Sequence, residues 1–250
     1  MPSAYRFTHK SVERIVREWT EAIERDMNHP CIITWVPFNE SWGVPDLAEK
    51  ASHQNFVLTL YHLTKTLDPS RPCIGNDGWE STATDILGIH DYDDQPARLL
   101  KKYTTHESID VTLNRYRPGG RVLTVEGFSH KGQPLMLTEF GGISFVEPSA
   151  EVSANWGYSA AQTSQDFRRR YEELMNAIHR IEIFAGFCYT QLTDTFQETN
   201  GLLKMDRTPK FSLNAMARAT RGIGLGRGEL TSVPQPPPIP HDNEYHESGF

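Results

Sequence analysis

The sequence predicts an α/β fold in which parallel strands alternate with helices. Short apolar, β-branched segments are separated by amphipathic segments of helical periodicity, and this alternation is typical of a parallel sheet. Two of the apolar segments end in a glutamate. Residues 31–36, which we expect to be buried on both faces, run into Glu40, and residues 135–137 run into Glu139. An α/β barrel presents its catalytic groups in this way, just past the carboxyl ends of its strands.

The composition narrows the possible partners. The 250 residues are 38% hydrophobic and carry a formal net charge of −7, so no excess of Lys and Arg favours nucleic acid. No apolar run approaches the roughly 20 residues of a membrane span, and the N-terminus does not resemble a signal peptide. Cys31, Cys73 and Cys188 lie in separate apolar segments, which predicts buried thiols in a cytoplasmic protein and neither a disulfide framework nor a metal site.

The helices are defined by apolar positions spaced three and four residues apart. In the first helix, Ile15, Trp19 and Ile23 fall on one face, opposite Arg17 and Glu21. Helices are predicted over residues 11–27, 45–67, 96–103, 164–181 and 213–220, and an irregular segment over residues 104–132.

Five strands are predicted, ending near Asn39, Asn76, His90, Glu139 and Thr190. A closed barrel of this type needs eight strands, and five parallel strands leave two unpaired edges. We therefore interpret residues 1–225 as an incomplete (β/α)8 TIM barrel that contains roughly strands 4 to 8. Residues 226–250 are rich in proline and are expected to form a disordered tail.

Four motifs lie at the ends of these strands. They read Trp-Val-Pro-Phe-Asn-Glu-Ser-Trp-Gly at residues 35–43, Ile-His-Asp-Tyr at 89–92, Leu-Thr-Glu-Phe-Gly-Gly at 137–142 and Tyr-Thr-Gln-Leu-Thr-Asp at 189–194. Together and in this order they resemble glycoside hydrolase family 2, which contains β-galactosidases, β-glucuronidases and β-mannosidases. The resemblance extends over residues 12–210. We expect the domains and the three barrel strands that precede this part in the family to be absent from the chain.

The resemblance implies a retaining β-glycosidase, β-galactosidase-like, that acts on a β-linked carbohydrate. No cofactor is expected, and the His, Cys and Asp residues show no metal-ligand spacing. Glu40 matches the family's general acid/base, and Asn39 matches the residue that holds the sugar 2-hydroxyl. Glu139 matches the nucleophile, and Tyr92 matches a tyrosine that hydrogen-bonds it. Tyr189 falls where many members carry an aromatic platform, often tryptophan.

A retaining mechanism requires the two carboxyl groups to lie ~5–5.5 Å apart. Hydrogen bonds from Tyr92 and from the glycine backbone are expected to favour the ionised form of Glu139. The alternative is that Glu40 and Glu139 are ordinary surface glutamates. We disfavour it because each directly follows a predicted buried strand.

Other candidate side chains allow two interpretations. His90 is either a substrate contact or a core histidine. Trp79 and Trp42 are either sugar-stacking faces or packing residues, and the same holds for Trp156.

Three functional hypotheses remain open at this point. The chain is an active retaining β-glycosidase, or a catalytically silent fragment or sugar-binding remnant of one. In the third hypothesis it is part of an assembly, in which a second copy or another chain covers the open sheet edges.

Overall fold

The computed structural model describes residues 6–104, 109–146 and 157–223. Trp156 and the predicted tail at residues 226–250 lie outside the described residues. The described helices are α1 (His9–Asp26), α2 (Ala51–Leu67), α3 (Pro96–Tyr103), α4 (Ile109–Arg115), α5 (Ser164–Ile178) and α6 (Leu213–Thr220), with a 3-10 turn at Pro118–Gly120. The strands are β1 (Phe38–Asn39), β2 (Asn76–Asp77), β3 (Leu87–Asp91), β4 (Leu135–Gly141), β5 (Ile143–Ser144), β6 (Ser159–Ala160) and β7 (Phe184–Thr190).

The described strands form three small sheets in which all pairs are parallel. The largest has the order β3-β4-β7, with Ile89 opposite Leu137 and Leu137 opposite Phe187. The other two sheets pair β1 with β2 and β5 with β6. Helices lie along the chain between β1 and β2, between β3 and β4 and between β4 and β7, which is the connection that parallel neighbours require. The predicted alternation of strands and helices is therefore confirmed.

Local sequence signals explain where the main helices begin. Thr8 accepts a hydrogen bond from the N–H of Ser11, whose side chain bonds back to Thr8 in a capping box. Thr163 caps α5 in the same sense through the N–H of Asp166. Among the described helices, we find none with the length and apolarity to cross a bilayer.

The core consists of two main clusters on either side of the β2–β3 boundary. The larger packs β3, β4 and β7 against α5, with Ile89, Leu137 and Phe167 fully buried. The smaller packs α1 and α2 against β1, and there Phe38 meets Phe56 edge-on with ring centroids 5.1 Å apart. Each fully buried apolar side chain contributes roughly 1.5–3 kcal/mol. Each cluster thus anchors a different strand. The smaller anchors β1, which precedes Glu40, and the larger anchors β4, which carries Glu139.

The prediction that residues 31–36 form a strand buried on both faces is wrong. In this segment only Trp35 makes a strand-like bridge, to Cys73, and Ile33 is 75% exposed. Within the described part of the chain, the backbone of Trp35 bonds on one side only, to the neighbouring segment at Pro72 and Ile74. A segment bonded on one side is an edge, and its apolar residues need not be covered.

The prediction of three buried thiols is also wrong for two of them. Cys73 is buried, whereas Cys31 and Cys188 are exposed. Cys188 lies on β7, which pairs with β4 alone among the described strands. One edge of β7 is therefore open, and burial of the whole strand does not follow from its apolar sequence.

Candidate active site

Glu40 follows β1 directly and sits in a constrained turn. Glu40 and Ser41 have positive φ values of 54° and 58°, which non-glycine residues adopt at a cost of order 1–3 kcal/mol each. Two hydrogen bonds to acceptors on β2 hold this turn. The Glu40 N–H donates to the carbonyl of Asp77 at 2.9 Å, and the Ser41 N–H donates to Oδ1 of Asn76 at 2.9 Å.

A buried carboxylate supports the same turn. The Ser41 hydroxyl donates to Oε2 of Glu80 at 2.5 Å, and Arg121 Nη1 donates to Oε1 of Glu80 at 2.9 Å. Asn76 Nδ2 adds a hydrogen bond of 3.2 Å to the Ser41 hydroxyl. Sequence reasoning missed Ser41, Glu80 and Arg121. The sequence pattern that could have indicated this support is the polar stretch at residues 77–80, which begins at the last residue of β2.

Glu139 projects from β4 and meets Tyr92, which follows β3. The Tyr92 hydroxyl donates to Oε2 of Glu139 at 2.5 Å, and the Tyr92 ring stacks on Tyr158 with centroids 3.5 Å apart. Burial raises the pKa of Glu139, while the positive charge of His90 and the Tyr92 hydrogen bond lower it. The Tyr92 hydrogen bond thus favours the ionised form of Glu139 as expected, although the net shift of the Glu139 pKa is upward. The hydrogen bond is present, but burial outweighs it.

His90 lies at the centre of the cluster and is almost completely buried, at 1% exposure. Its Nδ1 is 2.8 Å from Oε1 of Glu40 and 3.4 Å from Oε2 of Glu139, and its Nε2 is 3.4 Å from Oδ2 of Asp77. Burial alone would lower the pKa of His90, but the three carboxylates raise it to about 9. The imidazole is therefore positively charged at neutral pH and links carboxylates from three strand ends.

Gly78 provides the space for this imidazole. Its φ of 97° favours glycine, and a Cβ added there would lie 2.7 Å from Nδ1 of His90. The prediction of His90 as a substrate contact is not supported by this placement, since a fully enclosed ring offers no face to a sugar.

The carboxyl pair is close enough for a covalent glycosidase mechanism. One ligand atom each from Glu40, His90 and Glu139 lies within 4.8 Å of the other two. Retaining glycosidases separate their carboxyl groups by ~5–5.5 Å and inverting ones by ~6.5–9.5 Å. The same three atoms have the spacing of a metal site. A metal ion bound there would have to displace the proton that His90 shares with the carboxylates.

The remaining predicted residues are placed at different distances from this cluster. Asn39 lies on β1 beside Glu40, and in the strand register it faces Asp77. Trp42 and Trp79 line a cavity together with Glu40. Tyr189 packs edge-on against Phe140 and Tyr171, with centroids 5.5 and 5.0 Å away. These ring contacts hold Tyr189 against the larger core cluster, and its role as an aromatic platform stays a prediction.

A parallel α/β fold with carboxylates gathered at the strand ends is typical of the α/β-barrel class of proteins. The sequence matches the family "Glycosyl hydrolases family 2, TIM barrel domain" over residues 5–223. The chain therefore belongs to glycosyl hydrolase family 2, through that family's TIM barrel domain.

Individual relatives agree with this assignment. A β-galactosidase of Yersinia pestis bv. Antiqua (strain Angola) is 37% identical over 103 residues, which are 40% of this chain and 9% of that protein. The β-D-glucuronidase of Dictyoglomus thermophilum superposes with a TM-score of 0.57 at 15% identity, covering 85% of this chain and 35% of that one. A family 2 β-galacturonidase of Eisenbergiella tayi gives 0.53 at 17% identity, covering 82% and 36%.

These structural matches show a TIM-barrel-like fold. The chain spans about a third of the length of the solved structures it resembles.

Proposed function

We propose that this chain carries the catalytic carboxyl pair of a retaining β-glycosidase. The observation that carries the proposal is the spacing of Glu40 and Glu139, whose nearest carboxylate oxygens lie within 4.8 Å. Membership of glycosyl hydrolase family 2 supports it independently.

In the proposed reaction, Glu139 is the nucleophile and Glu40 is the general acid/base. The Glu139 carboxylate attacks the anomeric carbon while the protonated Glu40 gives its proton to the departing glycosidic oxygen. This step forms a covalent glycosyl–enzyme bond and releases the aglycone. Glu40 then takes a proton from water, which attacks the anomeric carbon, breaks the bond to Glu139 and releases the sugar with its configuration retained.

The hydrogen bonds around each carboxyl support this division of roles. Glu139 accepts the short hydrogen bond from Tyr92, a donor suited to a carboxylate that must carry charge. Glu40 borders an open cavity, where a leaving group can reach its proton. Asn39, the neighbour of Glu40 on β1, is proposed to bind the sugar 2-hydroxyl.

We further propose that the described strands correspond to roughly strands 4 to 8 of an eight-stranded barrel, with residues 1–225 as the domain. In that arrangement the open edges of β1 and β7 pair with further strands. These strands come from the rest of a longer polypeptide, from a second copy or from another chain. The open edges also favour the second candidate function, a catalytically silent fragment or sugar-binding remnant.

Turnover and covalent labelling test the proposal together. The chain is assayed with the 4-nitrophenyl β-glycosides of galactose, glucuronic acid and galacturonic acid, because relatives are named for these sugars. A 2-deoxy-2-fluoro β-glycosyl fluoride of the hydrolysed sugar should become attached to Glu139, as located by peptide mass spectrometry. Size-exclusion chromatography identifies the active species as a monomer, a homo-oligomer or a complex.

The outcomes separate the hypotheses. An active, labelled monomer supports the proposal for this chain alone. Activity that arises only on mixing with a second polypeptide supports the assembly. A folded monomer that is neither active nor labelled favours the silent fragment.

A further inference from the structure

A cavity of about 580 Å³ lies beside Glu40. Its walls include Arg6, Glu40, Trp42, Trp79 and Arg121. Neither His90 nor Glu139 belongs to its described lining. The cavity thus borders the proposed acid of the pair and not the nucleophile.

The position of the cavity relative to the two carboxyl groups decides which part of a substrate can bind in it. In a retaining mechanism the nucleophile attacks one face of the sugar while the acid protonates the oxygen that departs from the other. The departing group therefore lies on the acid side. A cavity that borders Glu40 alone is on that side.

The walls are aromatic. Trp42 is 45% exposed although its side chain is large and apolar, and it lies in the cavity instead of packing into a core cluster. Trp79 forms a second wall and packs closely on Gly119, where an added Cβ would lie 2.9 Å from the indole ring. The Trp79 indole N–H is buried without a hydrogen-bond partner among the described residues. Planar groups that carry polar substituents suit such walls.

The charge of the lining is positive. Arg6 and Arg121 face a single lining carboxylate, that of Glu40. Arg121 donates a hydrogen bond from one terminal nitrogen to the carboxylate of Glu80. This bond fixes the guanidinium at the cavity wall. Glu40 is itself bonded to the charged His90. An anionic substituent in the cavity would therefore meet guanidinium donors.

We propose that this cavity is a leaving-group subsite that binds an aromatic aglycone bearing a carboxylate. The inference rests on the proposed glycosidase function for the meaning of the subsite. The binding itself is testable on this chain, because the described lining residues all lie within residues 6–121.

Binding of free aglycone analogues to the 250-residue chain tests the subsite without turnover. The probes are 4-hydroxybenzoate and its neutral counterpart 4-hydroxybenzamide, followed by tryptophan fluorescence and isothermal titration calorimetry. We expect the benzoate to bind about fivefold more tightly, as one partly exposed ion pair allows. Arg6→Gln should remove this preference, and Trp42→Leu should weaken the binding of both probes.

Lys10→Gln is the matched control. It removes one positive charge from the same end of the chain, but Lys10 does not line this cavity. Equal affinity for the two probes would overturn the proposal. An equal loss of the preference in Lys10→Gln and Arg6→Gln would also overturn it, because the effect would then be one of net charge.

Failure of the subsite and failure of the proposed function give different results. Glu139→Gln should bind 4-hydroxybenzoate as the unsubstituted chain does while losing turnover. A chain that binds the probe selectively but hydrolyses no glycoside retains the subsite and rejects the activity. A chain that hydrolyses glycosides without selectivity for the probe retains the activity and rejects the subsite.

Discussion

The hydroxyl of Tyr92 donates a 2.5 Å hydrogen bond to Oε2 of Glu139. Burial and the neighbouring negative charge of Glu139 raise the pKa of Tyr92 far above its usual range, so this hydroxyl stays protonated and acts as a donor at all working pH values. The stacked ring of Tyr158 covers Tyr92. The bond therefore stabilises the ionised form of Glu139 against the burial that opposes it.

Tyr92→Phe should weaken the proposed nucleophile in a predictable direction. Without the hydrogen bond the pKa of Glu139 rises further, so the acidic limb of the kcat/KM profile should move to higher pH. We expect kcat/KM to fall about tenfold at neutral pH, as the loss of a hydrogen bond to a charged group allows. Tyr116→Phe is the control. An unshifted acidic limb in Tyr92→Phe would contradict the role given to this bond.

Replacing each carboxyl should distinguish nucleophile from acid in an active form of the protein. Glu40→Gln and Glu139→Gln should each lower kcat on a chromogenic β-glycoside by at least ~100-fold, whereas Glu172→Gln on the surface of α5 should not. With Glu40→Gly, added azide should yield a β-glycosyl azide, because azide attacks the glycosyl–enzyme in place of water. With Glu139→Gly, it should yield the α-azide by direct displacement. Exchanged products would reverse the two roles.

The charged His90 should make folding stability depend on pH. The folded pKa of about 9 exceeds the ordinary value of 6.5, so the stabilisation is complete below pH 6.5 and is lost as pH rises through about 9. The difference corresponds to roughly 3 kcal/mol in the free energy of unfolding. Glu40, Asp77 and Glu139 are the carboxylates that face this group.

Urea unfolding at pH 6 and pH 9.5 measures this contribution of His90 to the free energy of unfolding. The unsubstituted chain and a control variant, His62→Gln at an exposed position, should lose stability over this interval. His90→Gln should be less stable at pH 6 and should lose much less over the interval. A pH dependence that survives unchanged in His90→Gln would place the titrating group elsewhere.

Ser41→Ala should destabilise the chain although it removes a single oxygen. The hydroxyl donates to the buried carboxylate of Glu80, and hydrogen bonds to charged groups contribute about 1.5–3 kcal/mol. Urea unfolding should show a loss of this size. Ser212→Ala is the matched control, because Ser212 is exposed and its side chain makes no capping hydrogen bond at α6. Equal stability of the two variants would show that the Glu80 network does not support the turn.

The sequence was most informative where a side chain follows directly from a strand. Glu40 and Glu139 were found because each ends an apolar segment, and in the structure they meet around His90, which contacts both carboxyl groups. Tyr92 came from the resemblance to a family, and no pattern in the residues would have paired it with Glu139. His90 lay in an apolar pattern that equally suited a core residue.

Other features depend on contacts between residues far apart in the chain, which no local sequence pattern predicts. The bond between Ser41 and Glu80 joins residues 39 positions apart through a turn with positive φ. The exposure of Ile33 depends on which neighbours cover the segment and not on its own composition. Tyr189 was placed by analogy, and its packing between Phe140 and Tyr171 reflects the aromatic residues of this particular core.

The two carboxyl groups rest on separate sheets, and this division has a mechanical consequence. Glu40 belongs to the β1–β2 sheet and Glu139 to the β3-β4-β7 sheet, so no continuous ladder sets their distance. The junction relies on His90 and on the Thr138 hydroxyl, which donates to Asp77 at 2.6 Å. Thr138→Val should therefore weaken the contact between the two sheets and widen the gap between the two carboxyl groups at temperatures well below global melting. In the proposed glycosidase, retention of configuration would then be lost before the fold is.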